Sequence, residues 1–148
     1  GIPYTELTVK DRERIGVSLA DSGFSQFLTV RDVTAILRNL YTRFDEARFL
    51  EKCQRYELPA NKKIKDFSTG MQAKLKLLIA MSHDADLLIL DEPMNGLDKD
   101  GVQDMRRYLL HLKEQGKTIL LASHSAEDIS VLCDTVCEMD KGKLTIIS

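Results

Sequence analysis

Two adjacent carboxylates, Asp91 and Glu92, follow the apolar run Leu87 to Leu90. Such a run, bounded by polar residues, fits a strand buried on both faces of a parallel sheet. Open α/β sheets place their ligands just outside the carboxyl ends of such strands. Of two acids there, one can hold Mg2+ by its oxygens and the other can orient or deprotonate a water. An acidic pair that merely solvates a strand end is the commonplace alternative, so the neighbouring residues decide. Upstream, Phe67-Ser68-Thr69-Gly70-Met71-Gln72 reads as a glycine-bearing loop opening an apolar helix. Ser68 suits the N-cap, and Gly70 leaves the backbone open to close approach, so the first amides of the helix can face an anion. Downstream come Asn95-Gly96-Leu97-Asp98 and, after the apolar run Ile119-Leu120-Leu121-Ala122-Ser123, a histidine, His124.

In this order and spacing the four segments resemble those of the ATP-binding subunits of ABC transporters. Phe67 to Gln72 is similar to the signature loop, and Leu87 to Glu92 to the Walker B strand with its catalytic glutamate. Asn95 to Asp98 is similar to the D-loop, and His124 to the switch histidine. The resemblance implies that two such subunits close head to tail on two ATP molecules. Asp91 would hold Mg2+ through its shell, Glu92 would position the attacking water, and His124 would contact the γ-phosphate. Ser68, Thr69, Gly70, Met71 and Gln72 would complete the partner's nucleotide site, and Asp98 would couple the two sites. Hydrolysis would then move a substrate across a membrane through a transmembrane permease. Two departures stand out: Thr69 occupies the place of the first signature glycine, and Met71 a place where glutamine is common, which reduces the donors available. A third is at the Q-loop, where ungapped counting puts Ala20 at the glutamine's position. Asp21 beside it can replace the lost Mg2+ ligand or simply start a turn, and Gln26 lies too far along.

Gly116-Lys117-Thr118 is a false phosphate-loop match. A P-loop needs a glycine five positions earlier, where His111 stands, and it needs a strand before and a helix after. No G-x-x-x-x-G-K-[ST] occurs in these residues. The resemblance therefore covers the later part of the family's domain, and the expectation is a C-terminal portion of a longer subunit that lacks the Walker A region. By itself it should bind nucleotide weakly and be inactive. Apolar faces left uncovered should drive self-association.

The elements that position these groups follow from periodicity. Arg14 to Leu19 reads as a strand with Ile15, Val17 and Leu19 alternating, broken by Asp21-Ser22-Gly23. Thr29 and Asp32 mark a helix start, and Val30, Val33, Leu37 and Leu40 give that helix a core face to about Tyr41. A second helix runs from about Asp45 to Tyr56 with Phe49, Leu50, Cys53 and Tyr56 inward. Phe24 and Phe27 are either core or a surface for the membrane partner. Ala73 to Met81 is apolar enough for a buried helix. Asp98 caps a helix with Val102, Met105, Leu109 and Leu112 inward and Gly116 as its stop. Lys117 to Ala122 is a second buried strand, and Ser125 with Asp128 starts a short helix to about Leu132. Val136 to Met139 and Leu144 to Ile147 form a hairpin expected to extend the edge of the core sheet. The fold class is α/β: a partial P-loop NTPase (RecA-like) core with an inserted helical subdomain, of ABC ATPase type. Residues 1–20 belong to the first part of the core, 21–83 to the helical subdomain, and 84–148 to the last part of the core.

Composition agrees with a globular chain. Of 148 residues, 43% are hydrophobic, and the formal charge of −2 gives no concentrated basic face for nucleic acid. Nothing resembles a signal peptide or an apolar span of about 18 residues, so the expected place is the cytoplasmic face of the membrane, peripheral to it. Cys53, Cys133 and Cys137 lack CxxC spacing and read as small buried hydrophobes. His83 and His111 read as surface or helix-end residues. The rival functions are a non-transport ABC-type ATPase, and a non-catalytic regulatory module that keeps the fold. No long coiled coil interrupts Gly23 to Asp66, which disfavours the DNA-repair type of ATPase.

Overall fold

The computed structural model describes residues 2–21 and 23–148, so Ser22, in the expected break after the first strand, lies outside the described residues. Helices α1 (Val9–Arg12), α2 (Val30–Leu40), α3 (Glu46–Arg55), α4 (Thr69–Ala80), α5 (Lys99–Glu114) and α6 (Ala126–Leu132) are interspersed with strands β1 (Ile15–Ser18), β2 (Leu87–Asp91) and β3 (Thr118–Ala122), with α2, α3 and α4 all lying between β1 and β2. The three strands form a parallel sheet in the order β1-β2-β3, with Ser18 opposite Leu90 and Asp91 opposite Ala122.

Local side-chain chemistry sets the helix starts. Thr29 and Asp32 form a reciprocal capping box at α2, and Ser68, Asp98 and Ser125 each accept from an amide three residues on. Helices α4 and α5 cover one face of the sheet. Leu77, Ala80 and Met81 pack with Leu88, Leu90, Met105 and Leu109, all buried. A second core, built on Val30, Val33, Leu37, Phe49 and Cys53, joins α2, α3 and the other side of α4 through Leu75 and Leu78. Arg106 of α5 reaches the buried carboxylate of Asp128 at 2.5 Å and the exposed one of Glu127 at 2.8 Å, holding α6 in place.

The opposite face of the sheet has no covering layer among the described residues, and this corrects several expectations. In β1 the buried residues are Gly16 and Ser18, while Val17 and the adjoining Leu19 are 43% and 44% exposed. The reason is proximity. A Cβ on Gly16 would stand 2.0 Å from the carbonyl oxygen of Ala80, so only a minimal residue lets α4 lie on β1. Leu87 and Ile89 are half-buried where burial on both faces was expected, and Leu120 of β3 is 60% exposed.

The hairpin β4 (Cys137–Asp140) and β5 (Lys143–Ile146) turns through Lys141 and Gly142 at φ 46° and 79°, but it forms a separate two-stranded sheet. Its residues are exposed, and it does not extend the core sheet. Leu40 points to solvent, and Thr34 takes the buried place, its hydroxyl donating to the Val30 carbonyl at 2.7 Å. Phe27 is exposed, whereas Phe24 packs against the second core. Cys137 is exposed and Cys133 half-buried. Cys53 is buried, and burial pushes its thiol up to about 12, which makes it inert. His83 is in the interior rather than at the surface. Its ring stacks on Tyr41 at 3.8 Å, Nε2 lies 3.0 Å from the Ile15 carbonyl, and Nδ1 has no partner.

Candidate functional site

The carboxyl ends of β2 and β3 bring Asp91, Glu92 and His124 together. Register places Asp91 beside Ala122, and the Glu92 amide donates to the Ala122 carbonyl at 2.9 Å. Glu92 then turns back with φ 45°, a left-handed conformation that a residue with a Cβ adopts at some cost. That turn carries its Oε1 to 2.9 Å from the His124 amide, which donates to it, and 3.5 Å from His124 Nε2. The two side chains differ in access. Glu92 is 23% exposed and His124 is 99% exposed, so the imidazole lies at the solvent-facing rim. A half-buried carboxylate beside an exposed imidazole can hold a water on one side and meet an incoming anion on the other.

Asp91 is half-buried, and its carboxylate makes no hydrogen bond or ion pair among the described residues. It lines a cavity of about 210 Å3 with Ser18, Gln72, Lys76 and Glu92. An unpartnered carboxylate at a strand end suits a hard cation that keeps most of its waters, as Mg2+ does. The described residues contain no group of three or more metal-ligating side chains, so one carboxylate with waters is the arrangement that fits.

The start of α4 forms the wall facing this pair. Ser68 Oγ accepts from the Met71 amide at 3.2 Å, and the Gln72 side chain turns inward to the Phe67 carbonyl at 3.3 Å. Met71 packs its side chain against the second core. Thr69 and Gly70 lie against the loop after β2. A Cβ on Gly96 would stand 2.9 Å from Thr69 Cγ2, and one on Gly70 would stand 3.0 Å from the Gly96 carbonyl oxygen. Asp98 accepts from the Gly101 amide at 2.8 Å and caps α5. Asp21 is exposed and lines a neighbouring cavity, which shares Ala20, Gln72 and Lys76 with the one at Asp91.

Two residues of this cavity were not singled out from the sequence: Ser18, and Lys76, whose ammonium donates to the Ala20 carbonyl at 2.7 Å. The signal for Lys76 was present. Thr69, Gln72 and Lys76 recur at helical spacing and mark one polar face of a helix that otherwise reads as apolar.

A parallel sheet with carboxylates at its carboxyl ends, faced by a glycine-bearing helix start, defines a P-loop NTPase-like α/β protein of the ABC cassette type. The profile of the ABC transporter family matches residues 4–95, and the chain belongs to that family. It is 33% identical over 138 residues to an ABC transporter ATP-binding protein of Bacillus subtilis, YdbJ, covering 91% of this chain and 45% of that one. It is 46% identical over 81 residues to an ABC transporter ATP-binding protein of Methanocaldococcus jannaschii, covering 55% of this chain and 31% of that one. The chain thus spans less than half the length of these relatives. The dimeric bacterial ABC transporter cassette MJ0796 shares the fold, with a TM-score of 0.79 at 22% identity over 98% of this chain and 68% of that one. The same cassette has been solved in a post-hydrolysis state bound to ADP and Pi. No helix among the described residues is long and apolar enough to cross a membrane.

Proposed function

We propose that these residues are the later part of the ATP-binding and ATP-hydrolysing subunit of an ABC transporter, which couples hydrolysis to substrate movement through a permease. Residues 1–20 and 84–148 then belong to its core and 21–83 to an inserted helical subdomain. The observation that carries this reading is the Glu92–His124 pairing at 2.9 and 3.5 Å beside the unpartnered Asp91. Glu92 would accept a proton from, or orient, the attacking water, and its bent backbone fixes the carboxylate for that task. His124 would reach from the rim to the terminal phosphate. Asp91 would hold Mg2+, which when bound supplies charge neutralisation at the phosphates. Ser68, Thr69 and Gly70, with the amides opening α4, would face the nucleotide of a second subunit in a head-to-tail dimer. Met71 would support that loop from behind, and Gln72, at the cavity wall, would hold it through its bond to the Phe67 carbonyl. Asp98 would shape the loop between the two sites through its cap. Asp21 would approach the metal only if its turn moves toward Asp91.

The 148-residue chain would be inactive by itself, because charge-assisted bonds from a phosphate loop and its lysine contribute about 1.5–3 kcal/mol each and these residues encode neither. Its uncovered sheet face would make it self-associate. Calorimetry of the chain with Mg-ATP tests the first point: no tight site is expected, and micromolar binding would overturn it. In the complete subunit, loss of hydrolysis on Glu92→Gln would support the assigned role.

A further inference from the structure

A second cavity, of about 230 Å3, lies at the opposite, amino ends of β2 and β3, between α3 and α5. Its charged groups are unevenly paired. Arg43 and Lys117 both bind Asp84, each at 2.6 Å, and Asp45 accepts from the Arg48 amide at 3.0 Å as the cap of α3. Asp84 is thereby ion-paired twice, while Asp45 keeps its charge beside one backbone amide. Arg48 and Lys52, one turn apart on α3, line the same space with no carboxylate partner within 4.0 Å among the described residues.

Lys52 is half-buried. Its ammonium donates to the Tyr108 hydroxyl and lies 4.3 Å from the centre of that ring. A phenol that accepts from an ammonium keeps its own O–H to donate, and Tyr108 donates to nothing among the described residues. The floor beside these groups is apolar, with Phe49 and Leu88. Holding two like charges near one another at an apolar floor is unfavourable, and burial together with Arg48 pushes the Lys52 ammonium down to about 8.

We propose that this cavity binds a small dianionic oxyanion of phosphate type, with Arg48, Lys52 and the Tyr108 hydroxyl as its donors. Such an anion relieves the Arg48–Lys52 repulsion and ties α3 to α5. A planar guanidinium, an ammonium and a hydroxyl are a donor set suited to an oxyanion and to no cation. The site is separate from the Asp91 cavity and does not depend on the function proposed for it.

Sulfate is the first probe, since it keeps its charge across the useful pH range. Calorimetric titration of the 148-residue chain at low ionic strength should show one saturable site. Lys52→Gln and Arg48→Gln should each weaken it roughly tenfold or more, and Lys62→Gln, at an exposed lysine outside the cavity, should leave it unchanged. Affinity should fall as pH rises through about 8, because the anion favours the protonated ammonium. The groups facing that ammonium are Arg48 and Glu51 from α3 and Tyr108 from α5, with Arg43, Asp45, Asp84 and Lys117 lining the rest of the cavity. Parallel titrations with inorganic phosphate and glycerol 2-phosphate separate a free ion from a monoester. Tighter binding of the monoester assigns a phosphate ester as the ligand, and equal or weaker binding assigns a free ion. Should the variants fail to fold, backbone resonances of the unmodified chain should shift on titration at Arg48, Lys52 and Tyr108 and not at the start of α4. Absence of saturable binding, equal weakening by Lys62→Gln, or shifts centred on α4 would overturn the proposal.

Discussion

Gly16→Ala should destabilise the chain far more than a one-carbon change usually does. The added Cβ would meet the Ala80 carbonyl oxygen at 2.0 Å and Leu88 Cδ2 at 2.7 Å, where ordinary contact begins near 3.4 Å. About 1.4 Å must be regained against a backbone atom that no rotamer change can move. The end of α4 cannot retreat freely, because Leu77, Leu78 and Ala80 are buried there. Overpacking of this kind costs about 1–3 kcal/mol and sometimes more, and the rigid partner argues for the upper end. The smaller conformational freedom of the unfolded alanine chain returns roughly 0.4–1 kcal/mol. A net loss of about 2–3 kcal/mol is therefore expected, or roughly 6–10 °C in Tm for a chain of this size. Chemical denaturation followed by circular dichroism reads it directly, with Val17→Ala, on the uncovered face of the same strand, as a control expected to cost less than about 1 kcal/mol. A Gly16→Ala protein as stable as the parent would refute the close packing of α4 on β1.

Burial is the main cause that lowers the pKa of His83, so the folded state favours the neutral ring. The unfolded chain then binds more protons, and stability should fall as pH drops below about 6.5 toward the lowered folded value, by at most about 1.4 kcal/mol per pH unit from this one group. Denaturant midpoints between pH 7.5 and 5.5 check this, and His83→Phe should flatten the profile. Asp128→Ala leaves Arg106 without its buried partner and should cost about 3 kcal/mol by urea denaturation, whereas Glu127→Gln at the exposed end of the same contact should move the midpoint far less. Light scattering after size exclusion should show the chain larger than a monomer, and Leu120→Asp on the uncovered sheet face should shift it toward monomer. A monomeric parent at high concentration would count against that reading.

Much of the architecture was legible because its signals are local. Capping at Thr29, Ser68, Asp98 and Ser125 depends on residues three apart, and the burial of Met105, Leu109 and Leu112 follows from helical spacing. The sequence misled where a partner decides the outcome. The alternation of Ile15, Val17 and Leu19 marks a strand but not its covered side: close approach by α4 selects Gly16 and Ser18 for that side and leaves the larger residues on the uncovered one. His83 lies 68 residues from the carbonyl its Nε2 meets, a contact with no local signature. The hairpin shows the alternation of a strand pair, but nothing within it says whether the core sheet lies alongside. In the candidate site, the order of acids, glycine and histidine was visible. The bend at Glu92 that brings its carboxylate to His124, and the polar stripe that carries Lys76, needed the fold.

The assignment of Glu92 as the group that prepares the water is tested most directly by ATP turnover of the complete subunit with Glu92→Gln, alongside its ATP-dependent dimerisation. The expected result is hydrolysis reduced at least about a hundredfold, in line with loss of a general base, with dimers that persist in ATP. Turnover equal to that of the unmodified subunit would contradict it.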